Sequence, residues 1–293
     1  MRWKGETSLP APKILPQGIE IKIPSRESGR DIPCRLMYPS MRKTEDERKK
    51  CRGVVMHFHG GGWVLGDQRS SDDFIQFYAD VGDLVVISVG YRHAPEDPFP
   101  KGPQDCFDAG EYLIKNAESQ YGVPLRFIGG ESAGAHLSLL ATFHLMKKYP
   151  DLKLSGLLLH YGCYNMTESP SVKHFTKSLI LDREIIGHFI GAFLPGMTLE
   201  QKQDPSVSPF FENLGQFRGR LPSALFTIGT EDPLVDDSVA MATKWLMAGG
   251  EAILKVYSGA PHGFNRFPKQ ALKEAAEAAN DTHTYIIDQL EKL

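Results

Sequence analysis

The sequence predicts an α/β fold, in which a mostly parallel central sheet carries helices on both faces and a helical cap. Three observations support this prediction. From Gly18 onward, short apolar runs alternate with longer helical patterns. The apolar runs are almost continuously hydrophobic, which is typical of strands buried on both faces of a parallel sheet. One long stretch in the second half of the chain breaks the alternation and indicates an insertion.

Apolar runs rich in β-branched residues predict the parallel strands. They lie at residues 54–58, 84–89, 126–128, 154–160, 224–228 and 253–257. Two earlier runs, 19–23 and 34–38, alternate apolar and polar residues on either side of a turn at 28–31. This pattern predicts an antiparallel hairpin, so we expect a sheet that is mostly but not wholly parallel.

Helical patterns separate the predicted strands, at residues 72–81, 103–117, 133–149, 236–248 and 271–290. The insertion contains no strand pattern, is punctuated by prolines and carries one helical pattern at 182–193. It predicts a cap that lies over the sheet. We therefore expect a single domain over 1–293, with a core of about 19–162 and 223–293 and a cap formed by 1–18 and 163–222.

Composition and charge exclude several classes of protein. The 293 residues are 41% hydrophobic and 24% charged, which fits neither a disordered nor a fibrous chain. The net charge of −3 offers no basic excess for nucleic acid. No apolar run is long enough to span a bilayer, and no signal-peptide pattern is visible. The four cysteines are widely spaced, so we expect free thiols in a cytoplasmic protein.

The motif Gly-Glu-Ser-Ala-Gly at residues 130–134 lies between a predicted strand and a predicted helix. A serine at such a sharp strand-to-helix turn is a candidate nucleophile, because flanking glycines let the backbone and the helix approach. The alternative is a serine whose glycine neighbours only allow close helix packing. The position between strand and helix favours Ser132 as a nucleophile.

The motif His-Gly-Gly-Gly-Trp at residues 59–63 directly follows the strand predicted at 54–58. Consecutive glycines can turn backbone N–H groups toward a developing oxyanion, although a flexible turn is the alternative. Leu65 stands where a dinucleotide fingerprint needs its third glycine, and the chain contains no Gly-Lys pair for a P-loop. No His-Glu-x-x-His metal motif occurs either, so we expect no cofactor and no metal.

A serine hydroxyl needs a base to take its proton. Among ten histidines, His262 stands out because it follows the strand predicted at 253–257 and lies near the C-terminus. The histidine needs an acid in turn, and Asp232 follows the strand predicted at 224–228. Glu231 remains an alternative acid, as do Asp236 and Asp237, although these two are expected to open the next helix.

The order Ser132, Asp232, His262 is that of the α/β-hydrolases. With these motifs the chain resembles the hormone-sensitive-lipase-like esterases, family IV of that superfamily, over roughly residues 18–293. The resemblance is carried by the motifs at 59–63, 91–96 (Tyr-Arg-His-Ala-Pro-Glu), 130–134, 232–234 (Asp-Pro-Leu) and 262–264 (His-Gly-Phe).

The resemblance implies an α/β-hydrolase fold and hydrolysis of carboxylic esters without a cofactor. It implies Ser132 as nucleophile, His262 as general base and then acid, and Asp232 as the residue that orients the histidine. It also implies that the backbone N–H groups of Gly61, Gly62 and Ala133 bind the oxyanion. Aromatic residues of the loop and the cap, Trp63, Phe210 and Phe211, are candidates for substrate binding, with core packing as the alternative for each.

The chain departs from the family at three points. Glu131 stands where the family usually has Asp or Thr, and His93 stands where it usually has Leu. The segment before His59 is also shorter than usual, which predicts a smaller N-terminal part of the cap.

The leading interpretation is a serine carboxylesterase that hydrolyses short- to medium-chain esters through an acyl-enzyme. An amide hydrolase or deacetylase of the arylacetamide-deacetylase or formamidase type would use the same triad. A ligand-binding receptor on this fold is less favoured, because such receptors have lost the catalytic histidine and His262 is present. The expected partner is a small ester, and a homodimer is an open alternative.

Overall fold

Eight strands form one central sheet in the computed structural model, which describes residues 10–293. The strands are β1 (Ile19–Pro24), β2 (Asp31–Met37), β3 (Val54–Phe58), β4 (Val85–Val89), β5 (Leu125–Glu131), β6 (Gly156–His160), β7 (Ser223–Glu231) and β8 (Ala252–Pro261). Their spatial order is β1-β2-β4-β3-β5-β6-β7-β8. β2 pairs antiparallel with both β1 and β4, and every other neighbouring pair is parallel. The predicted mostly parallel sheet is therefore confirmed.

One difference from the predicted strands, at the end of β5, bears directly on the serine motif. The sequence predicted a strand at 126–128. In the structure Gly130 pairs with Leu159 and Glu131 with His160, so the strand continues to the residue before Ser132. The parallel neighbour β6 supplies the pairing that local sequence could not reveal.

Nine α-helices lie within the described residues. They are α1 (Glu45–Arg48), α2 (Asp72–Gly82), α3 (Lys101–Tyr121), α4 (Ala133–Lys148), α5 (Pro170–His174), α6 (Arg183–Phe193), α7 (Leu199–Lys202), α8 (Val235–Met247) and α9 (Lys273–Glu291). The sequence did not predict α1, α5 or α7, which are too short to show helical periodicity. Capping boxes begin α1 at Thr44 and α7 at Thr198, and this signal could have identified both helices.

Helices cover both faces of the sheet, and successive residues of β3 show which helices lie on each face. Val55 is buried in a cluster with Tyr78 of α2 and Ile286 of α9. Val54 belongs to a second cluster that includes Leu137 of α4 and side chains of α3 and α8. Because successive strand side chains point to opposite faces, α2 and α9 lie on one face and α3, α4 and α8 on the other.

The chain between β6 and β7 is helical and contains no strand among its described residues. It holds α5, α6 and α7, with two 3-10 helices at Pro209–Phe211 and Leu214–Phe217. The helix predicted at 182–193 begins one residue later in the structure, at Arg183. Asp182 is its N-cap, and the side chain of Asp182 accepts a hydrogen bond from the N–H of Ile185 at 2.9 Å. We call residues 161–222 the cap from here on.

The start of the cap is tied to α8 by Asp237. Its buried carboxylate accepts hydrogen bonds from the N–H groups of Tyr164 at 2.6 Å and Asn165 at 2.7 Å, and from the hydroxyl of Ser169 at 3.1 Å. Burial raises the pKa of Asp237 to about 7, although these donors oppose the shift. The sequence suggested only that Asp237 opens a helix. In the structure its side chain also anchors the cap.

Residues 10–18 run beside α2 at the other end of the chain. The N–H of Leu15 donates to Asp72 at 2.9 Å, and its carbonyl oxygen accepts from Arg35 at 2.7 Å. Residues 1–9, which the sequence also assigned to the cap, lie outside the described residues.

The four cysteines are free, as their spacing predicted, and all four are buried. Among the helices of residues 10–293, none combines the length and the hydropathy that a bilayer crossing requires.

Candidate active site

Ser132 lies at the turn between β5 and α4, in a conformation that few residues adopt. Its φ of 55° and ψ of −117° mark a strained backbone for a residue with a side chain. A Cβ atom added to Gly130 would lie 2.2 Å from the carbonyl oxygen of Phe58, and one added to Gly134 would lie 1.9 Å from the same atom. Only glycine fits at both positions, so the motif is explained by the close approach of β3, β5 and α4.

Three residues that are far apart in the sequence form one hydrogen-bonded chain. The Oγ atom of Ser132 lies 3.0 Å from Nε2 of His262, and Nδ1 of His262 lies 2.7 Å from Oδ2 of Asp232. The other oxygen of Asp232 accepts the N–H of Leu234 at 2.9 Å. Asp232 follows the end of β7 and His262 the end of β8, so the parallel strands deliver both side chains to the same edge of the sheet.

The alternative acids have other partners. Glu231 forms an ion pair with Lys177. Asp236 accepts a hydrogen bond from the N–H of Ser171 at 2.7 Å, and Asp237 anchors the cap. The geometry therefore favours Asp232, which is 1% exposed and contacts the imidazole directly.

The glycine-rich loop after β3 lies beside the serine turn. Gly61 and Gly62 have positive φ angles of 128° and 61°, which glycine adopts at little cost. The N–H of Gly60 donates to Glu131 at 3.3 Å. Within residues 10–293, the N–H groups of Gly61, Gly62 and Ala133 donate to no protein acceptor. Because Ala133 begins α4, its N–H also lies at the positive end of the helix dipole.

A cavity of about 670 Å³ opens above Ser132 and His262. Its base includes Gly61 and Gly62, and its walls are mostly apolar. The cap contributes Leu179, Ile180, Leu181, Ile185, Ile186 and Phe189. A cavity of this size and apolar character is typical of a small-molecule site.

The sequence predicted α6 but not that its side chains face the cavity. A Cβ atom on Gly62 would lie 2.3 Å from the ring of Phe189, so this ring lies directly against the glycine loop. Ile185 and Ile186 line the cavity one turn earlier on the same helix. The apolar periodicity of α6 could have indicated a buried face, but it could not show that this face meets a cavity.

Trp63 lines the cavity, as the sequence suggested. Its ring stacks on Phe193 of α6 with the centroids 4.6 Å apart, and its Nε1–H donates to Nδ1 of His136 at 3.1 Å. Burial lowers the pKa of His136 to about 4, which keeps this imidazole neutral and able to accept the hydrogen bond.

Phe210 and Phe211, the two cap residues suggested for substrate binding, are not among the described residues that line this cavity, and their role in binding stays a prediction. They lie in the 3-10 helix Pro209–Phe211, and the Nζ atom of Lys244 lies 4.7 Å from the ring centroid of Phe210. The ring of Phe210 therefore packs against α8.

Tyr161 is a neighbour of the site that the sequence analysis missed. It follows β6 with a φ of 39° and lines the cavity. Its ring packs edge-on against the imidazole of His262 with the centroids 4.9 Å apart, and its hydroxyl donates to Asn265. No local motif marks this residue, because its importance depends on a contact across the sheet.

Among the described residues, no cluster of three or more His, Cys, Asp or Glu side chains could hold a metal ion. The site offers a serine hydroxyl, an imidazole placed to accept its proton, and fixed backbone N–H groups. This arrangement is that of an α/β-hydrolase, and the profile of the family described as alpha/beta hydrolase fold matches residues 55–266. The chain belongs to this family.

Similar proteins narrow the class further. Carboxylesterase NlhH of Mycobacterium tuberculosis is 30% identical over 275 residues, which cover 91% of this chain and 82% of that protein. The ethyl acetate hydrolase of Pseudomonas putida is 29% identical over 244 residues, 81% of this chain and 73% of that protein. The solved structure of an esterase from the archaeon Pyrobaculum calidifontis has a TM-score of 0.80 at 27% identity and covers 93% of this chain and 85% of that one. The chain is a carboxylic ester hydrolase, and its resemblance to the family IV esterases is confirmed.

Proposed function

We propose that the protein is a serine carboxylesterase that hydrolyses short- to medium-chain esters through an acyl-enzyme on Ser132. The observation that supports this most directly is the chain of two hydrogen bonds, 3.0 Å and 2.7 Å long, that joins Ser132, His262 and Asp232 at the base of the cavity.

In the first half of the reaction His262 takes the proton of Ser132 as Oγ attacks the ester carbonyl carbon. Asp232 holds the Nδ1–H tautomer and stabilises the imidazolium. The carbonyl oxygen becomes an oxyanion, which the N–H groups of Gly61, Gly62 and Ala133 are placed to bind. The tetrahedral intermediate then collapses, the C–O bond to the alcohol breaks, and His262 gives its proton to the leaving alkoxide.

In the second half a water molecule replaces the alcohol. His262 takes a proton from this water as its oxygen attacks the acyl carbon, and a second oxyanion forms in the same position. Collapse breaks the bond to Oγ, His262 returns the proton to Ser132, and the carboxylic acid leaves. Each proton moves through Nε2, the imidazole nitrogen that faces Ser132.

The cavity supports the preference for short to medium acyl chains. Its apolar walls reward each methylene that enters by about 0.8 kcal/mol, whereas a methylene that stays in water contributes nothing. The cap covers only part of this cavity of about 670 Å³, which the alcohol and the acyl group share, and we expect long chains to extend into solvent. The similarity to an ethyl acetate hydrolase supports the same preference.

The test is a series of p-nitrophenyl esters with wild type and Ser132→Ala. We expect kcat/KM to rise over the first carbons, peak at about four to eight carbons and then fall. Ser132→Ala should retain its fold and lose about five to six orders of magnitude in kcat. An alkyl phosphonate should label Ser132 in wild type, as read by mass spectrometry of the digest. A label on another residue, or activity that still rises at twelve carbons, would contradict the proposal.

Two finer expectations stay predictions. The four free, buried thiols support a reducing, cytoplasmic location. A homodimer is supported by the position of β8 at the edge of the sheet, where Val256 is exposed.

A further inference from the structure

Glu131 directly precedes Ser132, and its side chain contacts several segments of the proposed site at once. Only 1% of the residue is exposed. Its Oε1 atom accepts a hydrogen bond from Nε2 of His57 on β3 at 2.9 Å. Its Oε2 atom accepts the N–H of Gly60 at 3.3 Å and lies 3.3 Å from a guanidinium nitrogen of Arg266. One carboxylate therefore joins the serine turn to the glycine loop and to the segment after His262.

The partners of Glu131 are themselves held in place. Nδ1 of His57 lies 3.0 Å from the hydroxyl of Ser88 on β4. The guanidinium of Arg266 donates to the carbonyl oxygen of Ser70 at 3.0 Å and to the hydroxyl of Ser71 at 2.5 Å. These contacts hold the side chains of His57 and Arg266 in place. A change at the carboxylate therefore shifts the loops, because the two donors cannot move to compensate.

The charge of Glu131 has to be balanced, because it lies next to the serine at which an oxyanion forms. Burial alone raises the pKa of this carboxyl, but His57 and Arg266 outweigh that effect and hold the pKa well below its usual range. A buried carboxylate beside an oxyanion site opposes the developing negative charge, since few water molecules screen it. Arg266, whose side chain is 7% exposed, supplies a nearly desolvated positive charge against the same oxygen.

We propose that Glu131 is a positioning residue for ester hydrolysis: it holds the glycine loop and the His262 segment in register with Ser132, while Arg266 cancels its charge. The inference rests on the proposed function and deepens it. It gives a role to one of the positions at which this chain departs from its family, because the Glu131 side chain reaches His57, Gly60 and Arg266 together.

The first test compares Glu131→Gln with wild type on one p-nitrophenyl ester. The glutamine amide has a single acceptor oxygen. It can accept a hydrogen bond from His57 or bind the donors of Gly60 and Arg266, but it cannot do both at once. We expect kcat to fall about 10- to 100-fold while KM changes less than about threefold, because the oxyanion donors act mainly in the transition state. The affinity for an alkyl boronic acid, which forms a tetrahedral adduct with the serine, should fall by a similar factor.

Asp105→Asn is the matched control. Asp105 is a fully buried carboxylate that binds Arg30 and Arg92, and it contacts neither the serine turn nor the glycine loop. Its loss should lower the unfolding midpoint at least as much as Glu131→Gln does, yet change kcat less than about threefold, because destabilisation away from the site leaves the geometry of the folded fraction intact. A general effect of breaking a buried ion pair would instead lower kcat equally in both variants.

The second test is a cycle with Arg266→Met. Alone, this change leaves the carboxylate without its counter-charge, and we expect a larger loss of kcat than in Glu131→Gln. Adding Glu131→Gln to Arg266→Met removes the unbalanced charge and should recover kcat at least about threefold. If Arg266 only packed the loop, the double variant would be as slow as Arg266→Met or slower, which would overturn the charge-balancing role.

The outcomes separate this inference from the function on which it rests. A wild type that hydrolyses esters, with Glu131→Gln as fast as wild type or affected only as Asp105→Asn is, would overturn the inference alone. A wild type without ester hydrolysis, or Ser132→Ala as active as wild type, would overturn the proposed function. If Glu131→Gln does not fold, Glu131→Asp replaces it: the carboxylate retracts by about 1.5 Å from donors on both sides, and kcat should fall at least about threefold. An unchanged kcat in that variant would also overturn the inference.

Discussion

Two pairs of glycines, one at the serine turn and one on the cap, differ in what surrounds them. A Cβ atom added to Gly130 or Gly134 would lie 2.2 Å or 1.9 Å from the carbonyl oxygen of Phe58. A Cβ atom added to Gly187 or Gly191 of α6 would meet no atom within 4 Å. The first pair lets three elements of the core approach, whereas the second faces open space. Glycine therefore allows close packing below the cavity, whereas on the cap it lies at an open surface.

The largest expected effect is that of Gly134→Ala. The new methyl group would overlap the carbonyl oxygen of Phe58, and neither β3 nor α4 can move without disturbing the sheet. We expect a loss of more than about 3 kcal/mol in the free energy of unfolding, measured by urea denaturation, and kcat near background. Gly191→Ala is the control in the cap. A Gly134→Ala enzyme with wild-type stability and kcat would show that the turn is looser than the contacts indicate.

The serine turn was predictable because its requirement is local. A strand, a glycine, a serine and a second glycine before a helix occupy neighbouring positions, so residues 130–134 carry the signal together. Asp232 and His262 were also predictable, because each follows a strand of a parallel sheet and such strands end at one edge. Their contacts, at 2.7 Å and 3.0 Å, follow from topology once the strands are recognised.

The parts of the site that depend on distant contacts were not predictable. Phe210 and Phe211 are candidates for substrate binding because they are aromatic and lie in the insertion, but the described lining of the cavity does not include them. Phe189 occupies the place against the glycine loop instead. Glu131 and Arg266 are separated by most of the second half of the chain, so their ion pair leaves no periodic or local trace in the sequence.

A buried group of the core and the group that anchors the cap also change the stability of the fold with pH in opposite directions. Below the serine turn, burial lowers the pKa of His160 from 6.5 to about 4, and its ring lies between Tyr78 and Thr227. In the cap anchor, burial raises the pKa of Asp237 from 3.8 to about 7. Between pH 6.5 and 4 the unfolded chain binds a proton at His160 that the folded chain does not, so this contribution to stability is lost on acidification. Between pH 3.8 and 7 the folded chain holds a proton at Asp237 that the unfolded chain releases, so that contribution falls as pH rises.

The next largest effect is therefore expected for His160→Gln. At pH 8 the variant should be about 1–3 kcal/mol less stable, because glutamine does not satisfy both Tyr78 and Thr227. Between pH 6.5 and 4.5 its stability should fall less steeply than that of wild type, by about 1.4 kcal/mol per pH unit, the equivalent of one proton. Urea denaturation across this range measures both quantities.

His188→Gln is the control for this experiment, since it removes an exposed histidine from α6 and leaves the buried histidines in place. If wild type and His160→Gln lose stability with the same slope on acidification, the proton uptake on unfolding belongs to another group. His59 and His136, whose pKa values burial lowers to about 3 and about 4, would then be examined in the same way.

The smallest expected effect is that of Gly187→Ala and Gly191→Ala, and it asks whether the cap unfolds together with the core. Each change adds a methyl group to an exposed position inside α6, where no atom lies within 4 Å and where neither φ angle is positive. Glycine inside a helix costs about 0.5–1 kcal/mol relative to alanine, so each variant stabilises α6 by that amount.

How this local gain appears depends on the cap's connection to the core. The Asp237 hydrogen bonds and the buried face of α6 tie the two together, so we expect one cooperative unit and a rise of about 0.5–1 kcal/mol per variant in the global free energy of unfolding. The value of kcat should stay within about twofold of wild type, because the added methyl groups point away from the cavity. Hydrogen exchange of α6 amides provides the decisive comparison. If those amides gain protection while the global free energy of unfolding is unchanged, the cap opens independently of the sheet. The two glycine pairs would then lie in regions that differ in their unfolding as well as in their packing.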